Sequence, residues 1–325
     1  MELTTPGFDD ILAAAARIAP YTVRTPLRRS TDLSRRCGVE VYYKCENLQA
    51  AGAFKSRGAC NAVFALEAAA AARGVATHSS GNHAAALARA AQLRRIPATV
   101  VMPRGAPAVK RAAVLAFGAA IVECEPTLAA REQAAAQLIA RSGAHFVHPY
   151  DDPHVIAGQG TAILEVADAG LEPAMVLTPV GGGGLLSGTA IAVRARWPHA
   201  RVVGTEPAGA DDAARSFASG VRQHQRDPRT LADGLRGELS ERTFALIRSY
   251  VSDIATVTEA GIVAALRQVR GETGMLIEPS AAVPVAALLE ERVRPVAGPL
   301  VIVLSGGNVD PELPAFRAAG DPAPG

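Results

Sequence analysis

The chain reads as an α/β protein with mainly parallel sheets, and three observations carry that expectation. Short β-branched runs alternate with Ala-rich stretches along most of the 325 residues. Helical stretches of roughly ten to fifteen residues fill most of the gaps, the rhythm of βαβ units. No fixed-period repeat is present and no composition shift marks a boundary, which suits one domain inserted within another.

Taken in order, Phe8 to Ile18 predicts a helix opened by acids and stopped by Pro20. Val41 to Lys44 reads as a strand and Arg57 to Ala72 as a helix. Further strands are expected at Val75 to Thr77, Ala98 to Met102, Ala120 to Glu123, His145 to His148 and Met175 to Thr178. Three more follow at Arg201 to Thr205, Val251 to Ala255 and Leu300 to Leu304. The low-complexity tail Gly320 to Gly325 is expected to fray.

Composition excludes several classes. The formal charge is +2 and no basic block occurs, which argues against nucleic acid and anionic membranes as partners. Met1 to Pro20 lacks a basic start followed by an apolar run, so no signal peptide is expected. The longest uncharged run, Pro173 to Val193, reaches membrane-spanning length. Four consecutive glycines and Pro179 inside it argue instead for a buried strand, loop and helix. Cys37, Cys45, Cys60 and Cys124 form no CxxC pair and point to a reduced, cytoplasmic protein.

Lysine is scarce. Of 33 basic residues only Lys44, Lys55 and Lys110 are lysines, and the rest are arginines. A position that keeps lysine is a candidate for what guanidinium cannot do, which is to lose a proton and attack a carbonyl. Lys55 stands out, between glycines and beside the apolar ring of Phe54. The alternative is a surface lysine at the start of a helix.

Ligands of parallel sheets gather in the loops at strand carboxyl ends. Thr77-His78-Ser79-Ser80-Gly81-Asn82-His83 offers hydroxyls, an amide and helix-start N–H groups to a carboxylate, or a helix cap alone. Gly181 to Gly184 exposes several N–H groups at a helix start, a cradle for phosphate. A dinucleotide fold with Glu206 as its ribose acid is the rival there, but G-x-G-x-x-G is not in register. Ser305-Gly306-Gly307-Asn308 supplies a hydroxyl after the last strand. An amine, a phosphate cradle and partners for a phenolic oxygen and a ring nitrogen are what pyridoxal phosphate needs.

Gly52 to Ala59, Ser79 to His83, Gly181 to Gly184 and Ser305 to Asn308 resemble, in order, the motifs of the fold type II pyridoxal-phosphate enzymes. Ile156 to Thr161 and Ile277-Glu278-Pro279-Ser280 are similar to the serine/threonine dehydratase and serine racemase branch, so the resemblance covers nearly the whole chain. It implies a tryptophan synthase β-like fold with two parallel-sheet domains and the cofactor between them. Residues 1–51 and 150–325 would form the large cofactor domain and 52–149 a small mobile one. It also implies a homodimer.

The resemblance assigns roles. Lys55 carries the cofactor through an imine and, once freed, removes the α-proton. Phe54 packs on the cofactor ring, Asn82 bonds its phenolic oxygen, Gly181, Gly182, Gly183 and Gly184 hold its phosphate, and Ser305 faces its ring nitrogen. Ser79, Asn82 and His83 bind the substrate carboxylate. Ser80, opposite the lysine, can shuttle a proton, which opens racemisation without proving it. Glu206, the Ala210 carbonyl and Asp212 resemble a site for Mg²⁺ (or Ca²⁺ or Mn²⁺); the alternative is an acidic helix start. His145 and His148 read as structural, and Asp151-Asp152 as loop.

Departures matter too. Ala53, Ala85 and Phe117 replace polar residues common in the branch, which makes L-serine less secure as substrate. Arg131 matches an arginine of the racemase-like group and suits a second substrate carboxylate, as in 3-hydroxyaspartate. The short stretch after Ser305 leaves no room for a regulatory domain, so feedback by isoleucine is not expected.

The expected function is therefore a pyridoxal-phosphate dehydratase (ammonia-lyase) turning a β-hydroxy-α-amino acid of the L-serine or L-threonine type into a 2-oxo acid and ammonia. The alternatives are an amino-acid racemase, a 3-hydroxyaspartate dehydratase and, outside the class, a dinucleotide-dependent oxidoreductase or a silent cofactor binder.

Overall fold

The apolar stripe Ile11, Ala14 and Ile18 folds Phe8–Ile18 into helix α1, in a computed structural model that describes residues 4–316. The expected fraying of the tail lies outside the described residues. Strand β1 (Leu27–Ser30) follows, then α2 (Thr31–Cys37), whose Ser30 cap accepts from the Leu33 N–H, and β2 (Val41–Lys44). β1 escapes the sequence reading because it has no β-branched run. Its two arginines are exposed, and it pairs antiparallel with β2 at the sheet edge.

Two short 3₁₀ turns, Glu46–Leu48 and Ala50–Gly52, lead into α3 (Lys55–Ala65). The single helix expected over Arg57 to Ala72 is two, α3 and α4 (Ala68–Ala72), broken at Leu66 with φ −64° and ψ 139°. The Arg94 guanidinium explains the break. It donates to the carbonyls of Val63 and Leu66, taking over acceptors that a continuing helix would use.

The next units alternate: β3 (Val75–His78), α5 (Asn82–Arg94), β4 (Ala98–Pro103), α6 (Ala108–Ala116), β5 (Ala120–Cys124), α7 (Leu128–Ser142) and β6 (His145–Phe146). β6 stops two residues short of the expected end. His148 Nδ1 accepts from the N–H groups of Tyr150 and Asp151 and turns the chain. Then come α8 (Pro153–Asp168), β7 (Met175–Pro179), α9 (Gly184–Arg196), β8 (Arg201–Pro207), α10 (Asp212–Ser219) and α11 (Glu241–Tyr250). β9 (Asp253–Val257), α12 (Glu259–Thr273), α13 (Pro279–Leu289) and β10 (Leu300–Val303) complete the order. β9 starts two residues later than expected, because Val251 closes α11 by donating to Ile247 O.

β5-β4-β3-β6 form one all-parallel sheet, contained within residues 75–146. β1-β2-β10-β7-β8-β9 form the other, parallel except for β1. The larger sheet is covered on both faces, by α12 and α13 on one side and by α1, α8, α9 and α11 on the other. Its central strands are accordingly apolar throughout: all of β7 and β10 is buried. The uncharged run Pro173 to Val193 is β7, a loop and the buried helix α9, as expected. Among the described residues no helix is long and apolar enough to cross a membrane.

α3 and α8 cross at glycines. A Cβ on Gly58 would stand 2.7 Å from Val155 O, and one on Gly158 would stand 2.6 Å from the Gly58 Cα. Larger residues would force the helices apart and move the start of α3.

Candidate active site

The strand ends of the two sheets open onto one cleft of about 470 Å³, the size of a cofactor site. Lys55, the first residue of α3, lines it. Its Nζ donates to the Pro149 carbonyl at 2.7 Å and stands 5.0 Å from the centre of the Phe54 ring. Burial pulls its ammonium down to about 8, with the Glu278 carboxylate opposing. An amine so placed is available as a nucleophile near neutral pH.

A buried ion network fixes the start of α3 from behind. Arg57 donates through Nε and Nη2 to Glu46 at 2.8 Å each and through Nη1 to Glu165 at 2.7 Å. Lys44 Nζ meets Glu165 at 2.5 Å and the Thr25 carbonyl at 2.7 Å. Two cations balance two carboxylates, so removing any one member leaves an uncompensated buried charge, at a cost of about 3–5 kcal/mol. Lysine at position 44 is thus structural.

Loop 79–83 leads from β3 into α5. The N-cap is Gly81, and no side chain caps the helix. Capping alone therefore does not account for the polar residues there, and Ser79, Ser80, Asn82 and His83 all line the cleft at this helix start. Ser79 Oγ accepts from Gly81 N at 3.3 Å. His83 Nε2 lies 3.3 Å from Val147 O, which makes it the donor, and Nδ1 is buried without a protein partner. Burial, helped by the Lys55 charge, holds that ring neutral.

Gly181 to Gly184 form the opposite wall. Gly183 is the N-cap of α9 at φ +85°, a left-handed conformation that glycine adopts without strain. A Cβ on Gly182 would meet the Tyr150 ring at 2.4 Å, so this loop is shaped by absent side chains. Backbone N–H groups at a helix start make an anion cradle. Ser305 lines the same cleft just beyond β10. Its carbonyl accepts from Phe54 N at 3.0 Å and Gly306 bridges Ala53, which ties this loop to the lysine stretch.

Arg131, on α7, also reaches the cleft. The structure therefore gathers every pyridoxal-phosphate and substrate candidate from the sequence into one place. The residues fit pyridoxal phosphate: an amine of lowered pKa, a glycine cradle and an unpartnered buried imidazole nitrogen share the cleft.

Glu206, Ala210 and Asp212 lie outside it, at the end of β8 and the start of α10. Glu206 accepts from Ala213 N and Ala214 N, and Asp212 accepts from Gln225 Nε2 and Leu239 N. Both residues are fully buried, and among the described residues no salt bridge reaches either carboxylate. Burial, with the neighbouring Asp212 charge adding, drives the Glu206 carboxyl well above its ordinary value. Carboxylate oxygens are the donors a hard divalent cation takes.

Sequence reasoning gave no role to Glu278, Asn308, Tyr150 or Lys110, which all line the cleft. Glu278 accepts from Asn82 Nδ2 at 2.9 and 3.0 Å, and Asn308 Nδ2 donates to Asn82 Oδ1 at 2.9 Å. Tyr150 packs on the glycine loop, its hydroxyl pushed up to about 12 by burial. Asp151 pairs with Arg242 and Asp152 caps α8, so those acids are loop residues as expected.

Residues 18–306 match the family described as pyridoxal-phosphate dependent enzyme. The chain is 46% identical over 307 residues to the beta-hydroxyaspartate dehydratase of Paracoccus denitrificans, covering 94% of this chain and 97% of that protein. It is 42% identical to the L-threo-3-hydroxyaspartate ammonia-lyase of Saccharomyces cerevisiae, with 95% of each chain covered. The solved structure of maize serine racemase matches it with a TM-score of 0.92 at 40% identity, covering 94% of this chain and 95% of that one. With its lysine, its glycine cradle and its two-sheet fold, the chain belongs to the fold type II branch of the pyridoxal-phosphate-dependent enzymes.

Proposed function

We propose that the protein is an ammonia-lyase that removes water from a β-hydroxy-α-amino acid and releases ammonia and a 2-oxo acid, with 3-hydroxyaspartate as its preferred substrate. The observation that carries this reading is Lys55, an amine lowered to about 8 that faces the glycine cradle across a single cleft. Gly181 to Gly184 would hold the cofactor phosphate, Phe54 its ring face, Asn82 its phenolic oxygen and Ser305 its ring nitrogen. Pyridoxal phosphate, when bound, supplies the electron sink that lets a bond at the substrate Cα break.

The chain's own residues do the rest. The Lys55 amine takes the α-proton and returns it to the departing β-hydroxyl, which leaves as water. A water taken up afterwards hydrolyses the released enamine to the 2-oxo acid and ammonia. Ser79, Asn82 and the first backbone N–H groups of α5, that of His83 among them, hold the α-carboxylate and so set which bond faces Lys55. Ser305 is a neutral hydroxyl and does not keep a ring nitrogen charged as an acid would, which favours prompt loss of the β-substituent. Arg131 supports a second carboxylate on the substrate, and two relatives named for 3-hydroxyaspartate chemistry support the same choice.

Ser80 supports racemisation as a second activity, since it lines the cleft and can carry a proton on the face away from Lys55. Glu206, Asp212 and the Ala210 carbonyl support a bound Mg²⁺ or Ca²⁺. We further read residues 52–149 as a small mobile domain and the remainder as the cofactor domain. The family resemblance supports a homodimer, and four free cysteines support a cytoplasmic setting.

The test is a panel of β-hydroxy amino acids given to the cofactor-loaded enzyme, scored for 2-oxo acid and for the opposite enantiomer. Strongest keto-acid release from 3-hydroxyaspartate supports the proposal. No keto acid from any of them rejects it.

A further inference from the structure

Lys110 is the one lysine of the chain that belongs neither to the buried ion network nor to the cofactor amine. It sits on α6, and its Nζ meets Asp233 Oδ2 at 2.5 Å, on the 3₁₀ turn Asp233–Leu235. That pair reaches across the cleft from the part of the chain bearing the smaller sheet to the part bearing the larger one. Both residues line the cleft together with Arg131. Both also act on the buried Glu278 carboxyl, with opposite sign, so they stand within electrostatic reach of the chemistry.

Two features mark the pair as exchangeable. The side chains are 35% and 45% exposed, so water reaches both partners and the pair adds little stability. The residue is one of only three lysines among the 33 basic residues of the chain. For a permanent bridge, the guanidinium fork grips a carboxylate at two points and would serve better. A compact ammonium on a flexible stem changes partners more readily.

We propose that Asp233 is a stand-in for substrate. In the free enzyme it holds Lys110, and the second carboxylate of a dicarboxylic hydroxyamino acid takes its place when the ligand enters, with Arg131 as the other cation. A monocarboxylic substrate leaves the pair closed. Asp233 thereby acts as an internal competitor that sets selectivity between the two classes. The inference rests on the ammonia-lyase reading for its substrate class.

The experiment uses the cofactor-loaded enzyme. Malonate, an unreactive dicarboxylate, is titrated against the absorbance of the bound cofactor, and kcat/KM is measured for 3-hydroxyaspartate and L-serine. Asp233→Asn is expected to bind malonate roughly fivefold tighter, the most that release of an exposed ion pair supplies. Lys110→Gln is expected to bind it about tenfold more weakly and to lower the hydroxyaspartate-to-serine ratio of kcat/KM by a similar factor. Unchanged or weaker malonate binding by Asp233→Asn overturns the proposal, as does an equal change for both substrates in Lys110→Gln. A wild type that releases no keto acid, but whose malonate affinity responds to both substitutions as stated, keeps the exchange and removes only the reaction assigned to the cleft.

Discussion

Asn82 donates its amide to both carboxylate oxygens of Glu278, at 2.9 and 3.0 Å, while its own oxygen accepts from Asn308 at 2.9 Å. Turning the amide over would set acceptor against acceptor at Glu278 and donor against donor at Asn308, so the pair fixes which atom of Asn82 faces where. Glu278→Ala is therefore expected to lower kcat/KM for elimination by about ten- to a hundredfold. The absorbance of the bound cofactor should shift as well. Full activity with an unchanged spectrum would show that Asn82 is held without Glu278.

Lys55→Arg keeps a positive charge but not an amine that loses its proton near neutral pH. Turnover should vanish, and borohydride should fix no cofactor on the chain. Mass spectrometry of the reduced wild type should place the adduct on the peptide containing Lys55. An adduct elsewhere would reject the assignment.

Much of this site was legible before the fold, and the reason is locality. Lysine at 55 in an arginine-rich chain, four contiguous glycines and the Ser79 to His83 loop each announce their chemistry within a few residues. Glu278 does not. It stands at the N-cap of α13, yet its side chain caps nothing and turns to Asn82, 196 positions away. Lys110 and Asp233 meet only because two sheets close on one cleft. Strand β1 was invisible for a related reason: its edge position leaves it without an apolar pattern. The break at Leu66 depends on an arginine 28 residues along the chain.

Ser80 separates the two activities. Ser80→Ala should suppress appearance of the opposite enantiomer while sparing keto-acid release from the L-substrate, because one base suffices for elimination and two are needed for racemisation. Following both products from one substrate decides it. Equal loss of both would contradict the two-base arrangement.

Glu206 and Asp212 are both fully buried, and burial with the Asp212 charge raises the Glu206 carboxyl. Mg²⁺ is expected to raise the melting temperature by about 4 °C. Asp212→Asn should melt higher than the wild type in chelator and lose the response to Mg²⁺. A variant that still responds would place the cation elsewhere.

Glu278 also gives the protein a stability that depends on pH with a definite sign. Burial raises its carboxyl from 4.5 to about 7 in the folded state, Asn82 opposing, with Asp233 adding to the rise and Lys110 and Lys55 opposing it. The folded state thus holds the proton more tightly than the unfolded chain. Its contribution is fully present below about pH 4.5 and is lost as pH rises through 7, a change of at most about 3 kcal/mol. Glu278→Gln keeps the size of the side chain and removes the titration. Urea unfolding of the cofactor-free protein across this window should show a fall in stability for the wild type that is flatter in the variant. Parallel curves would mean that the Glu278 proton is bound equally in both states, and that the charge facing Lys55 near neutral pH is a full one.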